Sequence, residues 1–144
     1  MSDPARRKIT ILETQLLSLW FYPQAGILHH QLHTFIPAAA FEELLTAGLD
    51  YIERQKATKW LSDNRGNPIV TQETAEWART VWAPRAIGAG FKYWAAVMPS
   101  ELLGRMQMRT FIDEYAKLGV TVHPFEDVDK ALRWLETVDR PAVP

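Results

Sequence analysis

The sequence predicts an α/β protein built on a single mixed β-sheet, with the element order β-β-β-α-β-α-β-α-β-α. Three β-rich runs lie close together between residues 8 and 35, with turn-length segments between them. Beyond them, helical periodicity alternates with short apolar runs, which is the pattern of parallel strands joined by helices. A chain of 144 residues is the usual size of one domain. We therefore expect one domain, 1–144, with a core at about 8–136 and short flexible termini.

The first three strands are predicted from residue pattern and turn chemistry. Residues 8–13 alternate between polar and apolar, 16–22 are apolar on both faces, and 27–35 form the third run. The turn from Pro23 to Gly26 has proline early and glycine late, as a hairpin turn favours. Because the connections are this short, we expect an antiparallel meander.

The rest of the chain is predicted to form four helices that alternate with three strands. Apolar residues at three- and four-residue steps after Pro37 indicate the first helix. Pro84 should bend the second, because proline donates no backbone hydrogen bond, and Asp127 suits an N-cap of the fourth. The expected strands are 58–62, 92–98 and 120–125, and the second helix is expected at 72–89. These strands should be parallel, with right-handed crossovers.

The third helix is expected to start at Pro99–Ser100 and to end at Gly119. Its apolar face at helical spacing predicts a set of residues turned toward the core: Leu102, Leu103, Met106, Phe111, Ile112 and Tyr115.

Composition argues against several functional classes. Sixteen basic residues nearly balance seventeen acidic ones, so the chain lacks the positive footprint of a nucleic-acid binder. The absence of cysteine excludes disulfides, thiolate catalysis and cysteine-bound metals. No apolar run reaches the ~18 residues of a membrane span, and the start of the chain does not resemble a signal peptide. We expect a cytoplasmic protein that needs no cofactor and binds neither nucleic acid nor membrane.

Several segments carry a resemblance to a known family. They run from Lys59 to Arg65, over Trp82-Ala83-Pro84-Arg85, and from Lys92 to Pro99. The remaining cues are Trp77 and the closing residues Phe125-Glu126-Asp127, Ala131, Leu132, Trp134 and Leu135. With the element order, they resemble the STAS domain (sulphate transporter and anti-sigma-factor antagonist), and more closely its bacterial SpoIIAA-like branch, also described as STAS/SEC14-like. The resemblance covers about residues 8–136. It implies a non-enzymatic regulatory or protein-interaction domain, and its SEC14 side implies a pocket for a small apolar molecule or lipid.

The polar turn after the fourth strand is the first candidate site. Asp63, Asn64 and Arg65 follow a strand expected to be parallel to its neighbours, and open α/β sheets bind ligands beyond the carboxyl ends of such strands. The alternative is structural, because Asn64 is a good turn former and a contact between Asp63 and Arg65 can hold the loop.

Thr71 is a candidate at the start of the second helix. Its hydroxyl suits an N-cap, and Glu73 favours the positive end of the helix dipole. The same free N–H groups are able to hold a phosphate on Thr71. In the family, the resemblance implies a phosphorylated serine near this position. The segment from Ile69 to Gln72 departs from that pattern, with neither the acidic residue nor a serine.

Trp82, Arg85 and His123 complete the candidates. An exposed tryptophan beside an arginine is typical of interfaces, although Trp82 also suits a core or loop-covering role. His123 lies near the end of the sixth strand, as at the rim of a pocket. His29 and His33 share a strand face but lie ~13 Å apart, too far for one zinc ion. We expect no metal site.

Three functional hypotheses follow. The first is a STAS-like domain that binds a protein partner or itself through the loop Asp63–Thr71 and the second helix. The second is a small-ligand or lipid-binding module with a cavity lined by aromatic residues and methionine. The third, an enzyme acting through Asp63 and His123, is the least favoured, because no serine lies in a nucleophile elbow and no glycine loop is present to cradle phosphate.

Overall fold

The structure, a computed structural model, describes residues 6–66 and 70–140. Its six strands form one sheet in chain order, β1-β2-β3-β4-β5-β6. The first three are antiparallel, and β3 to β6 are mutually parallel. This confirms the predicted α/β class and the single mixed sheet. The strands are β1 Ile9–Glu13, β2 Leu17–Tyr22, β3 Ile27–Leu32, β4 Lys59–Asp63, β5 Tyr93–Val97 and β6 Thr121–Phe125.

The helices lie between the parallel strands and after the last one. They are α1 Ala38–Gln55, α2 Gln72–Trp77, α3 Ala83–Gly88, α4 Leu102–Lys117 and α5 Val128–Thr137, with a π-helical turn at Ala78–Trp82. Within the described ranges, none of these helices combines the length and apolarity that a membrane span needs.

The two faces of the sheet carry different helices. Strands β3 to β6 follow one another across the sheet in chain order. Because every crossover between them therefore moves toward the same edge, right-handed crossovers place α1, α2–α3 and α4 on the same face. One core cluster accordingly joins α1 and the π-turn to Leu19 and Trp60. Helix α5 has no following strand and covers the opposite face, where it packs on Leu61 and Ala95. The chain thus forms a helix–sheet–helix sandwich.

The strand ends differ slightly from prediction. Gly26 closes the β2–β3 hairpin with φ 70°, a left-handed conformation that glycine adopts without strain, and its N–H donates to the Tyr22 carbonyl at 2.8 Å. The third strand ends at Leu32 rather than at residue 35. The predicted flexible termini, residues 1–5 and 141–144, lie outside the described part. Arg6, where the description begins, pairs with Asp129 and Glu136 of α5.

The predicted second helix, 72–89 with a bend at Pro84, is helical from Gln72 to Gly88 but contains a π-turn that the sequence did not predict. Pro84 has no N–H with which to bond the carbonyl four residues earlier, and the hydrogen-bond pattern shifts just before it. The N–H of Ala83 instead reaches back five residues to the carbonyl of Ala78. A π-turn therefore precedes Pro84 within this helical stretch.

The predicted apolar face of α4 is wrong in its first turn. Leu102, Leu103 and Met106 are 73%, 74% and 56% exposed, whereas Met108 is buried. Phe111 and Tyr115 do pack against the core, as predicted. The helix meets the sheet only from its second turn onward, so helical spacing alone overestimated the length of its buried stripe.

Candidate ligand-binding cavity

Strand alternation brings aromatic and polar groups to the face covered by α1 to α4. On β3, Leu28, His30 and Leu32 share one face because side chains alternate along a strand. On the neighbouring strand β4, Trp60 and Ser62 share that face. In the parallel register His30 lies directly beside Ser62, one strand spacing of ~4.8 Å away. The centre of the sheet therefore presents an imidazole and a hydroxyl to the helices.

Trp60 fixes the orientation of His30. Its indole Nε1–H donates to His30 Nδ1 at 2.8 Å, and both groups are buried. The indole ring also meets Trp82 edge-on, with ring centres 5.5 Å apart. On its other side the ring lies against the backbone of Gly48 in α1, where any Cβ atom would overlap Trp60. A glycine in mid-helix thus makes room for the tryptophan.

Ser62 is held by two donors. Its Oγ accepts a hydrogen bond from Trp94 Nε1 at 2.8 Å and another from Asn64 Nδ2 at 3.1 Å. Asn64 Nδ2 also lies 3.2 Å from the carbonyl oxygen of Val97, which identifies this end of the amide as the donor. These bonds tie β4 to β5 at the carboxyl end of both strands.

A cavity of about 90 Å³, partly open to solvent, lies between this face and the helices. Its wall is almost entirely apolar, and the residues with polar side chains that line it include His30, Ser62, Asn64 and Tyr115. Aromatic rings dominate the lining, among them Phe41, Trp60, Trp82, Trp94, Phe111 and Tyr115. Concave sites of this composition, with a few convergent polar groups, are typical of small-molecule binding.

His30 is neutral in this setting. Burial, with a smaller contribution from neighbouring His29, lowers its pKa to about 3, so the charged form is disfavoured at neutral pH. Its Nδ1 accepts from Trp60, so its one proton lies on Nε2. This N–H is buried and has no hydrogen-bond partner among the described residues.

His29 occupies the opposite face of β3. Its Nδ1 lies 2.9 Å from the Tyr22 hydroxyl, and its ring meets Trp20 edge-on at 4.8 Å. Burial lowers its pKa to about 4. The two adjacent histidines are thus both neutral at pH 7, but only His30 lines the cavity.

The predicted cluster of Asp63, Asn64 and Arg65 is split between the two faces. Asn64 lines the cavity, whereas Asp63 belongs to the face of Leu61, which α5 covers. Asp63 is 2% exposed and accepts from Arg65 Nε at 2.9 Å and Nη2 at 2.8 Å, and from the Arg65 backbone N–H. Burial alone raises the pKa of Asp63, but these bonds outweigh it and lower the pKa. For Asp63 and Arg65, the structure therefore agrees with the alternative prediction, a contact between the two side chains that holds the loop.

One of the two predictions for Trp82 was an exposed interface residue, and this prediction is wrong. It is 5% exposed, its Nε1–H donates to the Leu45 carbonyl at 2.7 Å, and its ring lines the cavity. The core alternative is therefore correct. Arg85 is exposed and pairs with Glu53 of α1 at 3.1 Å, on the outer side of the helices.

Thr71 is the N-cap of α2, as predicted. Its Oγ1 accepts from the N–H of Thr74 at 3.2 Å and lies 2.9 Å from the Thr74 hydroxyl. The side chain is exposed. Phosphorylation of Thr71 stays a prediction, and Ile69 of the compared motif lies outside the described residues.

His123 is an exposed residue of the edge strand β6, on the face covered by α5, so it does not border the aromatic cavity. Its ring packs near Phe125 and Trp134, with centres 4.7 and 5.7 Å away. The sheet register places it two strands and two residues from Asp63, a backbone separation of ~12 Å. The two groups named for an enzyme are not brought together.

Sequence reasoning missed His30 and Ser62. The available signal was a polar residue on the apolar side of an alternating strand, since Leu28, His30 and Leu32 alternate with His29 and Gln31. A buried polar side chain needs a partner, which makes such a position notable. No pattern in the chain showed that Trp60, thirty residues on, supplies a partner for Nδ1 of His30, or that Nε2 is left buried without one among the described residues.

Comparisons with family models, with curated proteins and with solved structures find no match to this chain. Across residues 6–66 and 70–140, no three His, Asp or Glu side chains are grouped so as to hold a metal ion. The cavity is therefore the feature of this chain that bears on its function.

Proposed function

We propose that this chain is a non-enzymatic binding module for a small, mainly apolar molecule held between the sheet and helices α1, α2 and α4. The observation that carries the proposal is the aromatic-walled cavity of about 90 Å³. This volume is smaller than the ~150 Å³ of a cavity that holds benzene in another protein, so the enclosed space suits a short chain or part of one small ring, and the rest extends through the open side. The alternation of helices and parallel strands also supports the STAS/SEC14-like relationship.

The experiment that tests this proposal blocks the cavity from α2. Ala75 lines it, and Ala75→Leu fills the space with a larger side chain. Ala116→Leu is the matched control, because Ala116 is an exposed residue of α4. Binding of small ring compounds is measured by ligand-detected NMR and by thermal unfolding. A ligand present at ten times its Kd should stabilise the wild type by about 1.4 kcal/mol.

Wild type and Ala116→Leu should bind with equal affinity, and Ala75→Leu should lose the binding. The proposal is wrong if no apolar compound binds the wild type, or if Ala75→Leu binds as well as the control does.

A second candidate function is protein contact, either self-association or another protein. The observation that favours it is the exposed apolar group Leu102, Leu103 and Met106 at the start of α4. Sedimentation velocity compares the wild type with Leu103→Lys, and with Ala116→Lys as a control on the same helix. Association that Leu103→Lys alone removes supports this function. A wild type that stays monomeric and retains no partner rules it out.

A further inference from the structure

His30 offers the cavity one well-defined hydrogen-bond donor. The indole of Trp60 can only donate, so His30 Nδ1 must be the acceptor of their 2.8 Å bond. In a neutral imidazole the proton is then on Nε2. His30 is 5% exposed, lines the cavity, and its Nε2–H meets no acceptor among the described residues. A buried N–H without a partner costs about 1–3 kcal/mol, so an acceptor there is favoured.

Ser62 supplies a second donor beside the first. Both groups that contact its Oγ, Trp94 Nε1 and Asn64 Nδ2, are donors. The hydrogen of the hydroxyl is therefore directed to neither of them and is free to turn toward the cavity. Because Ser62 is paired with His30 in the parallel register, the two donors lie on adjacent strands of one face. A single acceptor atom can approach both.

The wall of the cavity disfavours a charged ligand. Among the described residues that line it there is no Lys, Arg, Asp or Glu. A carboxylate or phosphate would lose its hydration here without gaining a cation, which is strongly unfavourable. Burial also lowers the pKa of His30 to about 3, so this imidazole is no cation at neutral pH. A pure hydrocarbon, in turn, leaves the Nε2–H unpaired.

We propose that the cavity takes a small uncharged ring compound whose carbonyl oxygen accepts hydrogen bonds from His30 Nε2–H and from the Ser62 hydroxyl. This inference rests on the proposed function and adds the chemical class of the ligand. The ring packs on the aromatic walls, and its carbonyl group points to the sheet. The cavity volume of about 90 Å³ limits the buried part to one small ring.

Three probes of matched size separate the alternatives. Cyclopentanone carries the carbonyl, methylenecyclopentane replaces its oxygen with a CH₂ group, and cyclopropanecarboxylate carries an anion. Titrations of the ¹⁵N-labelled wild-type protein follow the His30 imidazole and the indole N–H signals of Trp60 and Trp94. Cyclopentanone should move the His30 Nε2–H signal downfield, as a new hydrogen bond does. Methylenecyclopentane should shift the indole signals only, and the carboxylate should bind at least tenfold more weakly.

Variants then test whether the preference for cyclopentanone over methylenecyclopentane comes from the N–H of His30 and the hydroxyl of Ser62. His30→Phe keeps an aromatic ring and removes the N–H. It should weaken cyclopentanone binding by roughly five- to tenfold relative to methylenecyclopentane, the value of one hydrogen bond. Comparing the two ligands in one variant cancels its general effects on the cavity. Should His30→Phe fail to fold, Ser62→Ala tests the second donor in the same way, and the wild-type signal shift needs no variant.

The outcomes are distinct from those that test the proposed function. Equal behaviour of the ketone and the alkene, with no change at His30 Nε2, overturns the carbonyl inference and leaves apolar binding intact. Tighter binding of the carboxylate also overturns it. If no probe binds and Ala75→Leu changes nothing, the proposed function fails together with the inference.

Discussion

Gly48→Ala tests whether the packing of Trp60 defines the cavity wall. Gly48 is buried near the middle of α1, and a Cβ atom there would overlap Cη2 and Cζ3 of the Trp60 ring. Trp60 cannot simply turn away. It is 3% exposed, its N–H is bonded to His30, and Trp82 meets its ring edge-on. The added methyl group must therefore move either the helix or the indole.

The expected magnitude is a balance of opposed terms. Replacing a mid-helix glycine by alanine favours the helix by about 1 kcal/mol. Forcing a methyl group into a packed core costs about 1–3 kcal/mol. If the indole moves, its hydrogen bond to His30 is lost, for about 1 kcal/mol more. With the indole displaced, the three terms give a net loss of about 1–3 kcal/mol in the free energy of unfolding, opposite in sign to helix propensity alone.

Gly88→Ala is the matched control, because Gly88 ends α3 and a Cβ there meets no atom within 4 Å. Urea unfolding should show that Gly88→Ala is neutral or stabilises by up to about 1 kcal/mol. The indole N–H signals report whether Trp60 moves in Gly48→Ala. If both variants stabilise the protein alike and the Trp60 signal is unchanged, the reasoning about this wall is wrong.

Three further predictions concern groups near the candidate site. The folded-state pKa values of His29 and His30 lie below the ordinary 6.5, mainly because of burial. Stability is therefore full above about pH 6.5 and should fall below it by about 1.4 kcal/mol per pH unit for each histidine, down to about pH 4 for His29 and about pH 3 for His30. Urea unfolding across this range checks it, and a flat profile contradicts it. Asp63→Asn should cost about 1–2 kcal/mol, a value reduced because solvent screens the half-exposed Arg65. Thermal unfolding measures it, and Arg65→Ala should cost at least as much, because it leaves the buried Asp63 carboxylate without its cation. A loss in only one variant contradicts the pairing. Thr71→Ala should cost about 1 kcal/mol through the lost N-cap, whereas Thr71→Ser should retain it. Equal loss in both variants excludes capping as the cause.

Much of the fold was predictable because its signals are local. The apolar runs, the turn from Pro23 to Gly26 and the Asp127 cap of α5 each act within a few residues, and the structure has all of them. The position of β4 beside β5 followed from the alternation of strands and helices. That position was essential, since it places Ser62 and Asn64 at the carboxyl ends of central strands.

The rest depended on contacts that no local pattern contains. The π-turn before Pro84 depends on which backbone carbonyl accepts the N–H of Ala83. The spacing of apolar residues does not encode that choice. The exposure of Leu102 and Leu103 depends on where α4 first meets the sheet. The bond from Trp60 to His30 joins residues thirty positions apart. Spacing rules predicted the elements well and their long-range partners poorly.

The end of β4 shows why the predicted site divided in two. Successive strand residues point to opposite faces, so Ser62 and Asn64 face the cavity, while Asp63 faces away and holds Arg65. Because of this alternation, the Asp63–Arg65 pair and the cavity-facing Ser62 and Asn64 have separate roles. The Asp63–Arg65 pair fixes the loop, and Asn64 is bonded to Val97 through both its backbone and its side chain. The polar groups at this end of the cavity are therefore already ordered, so under the proposed function little binding free energy would be lost in arranging them.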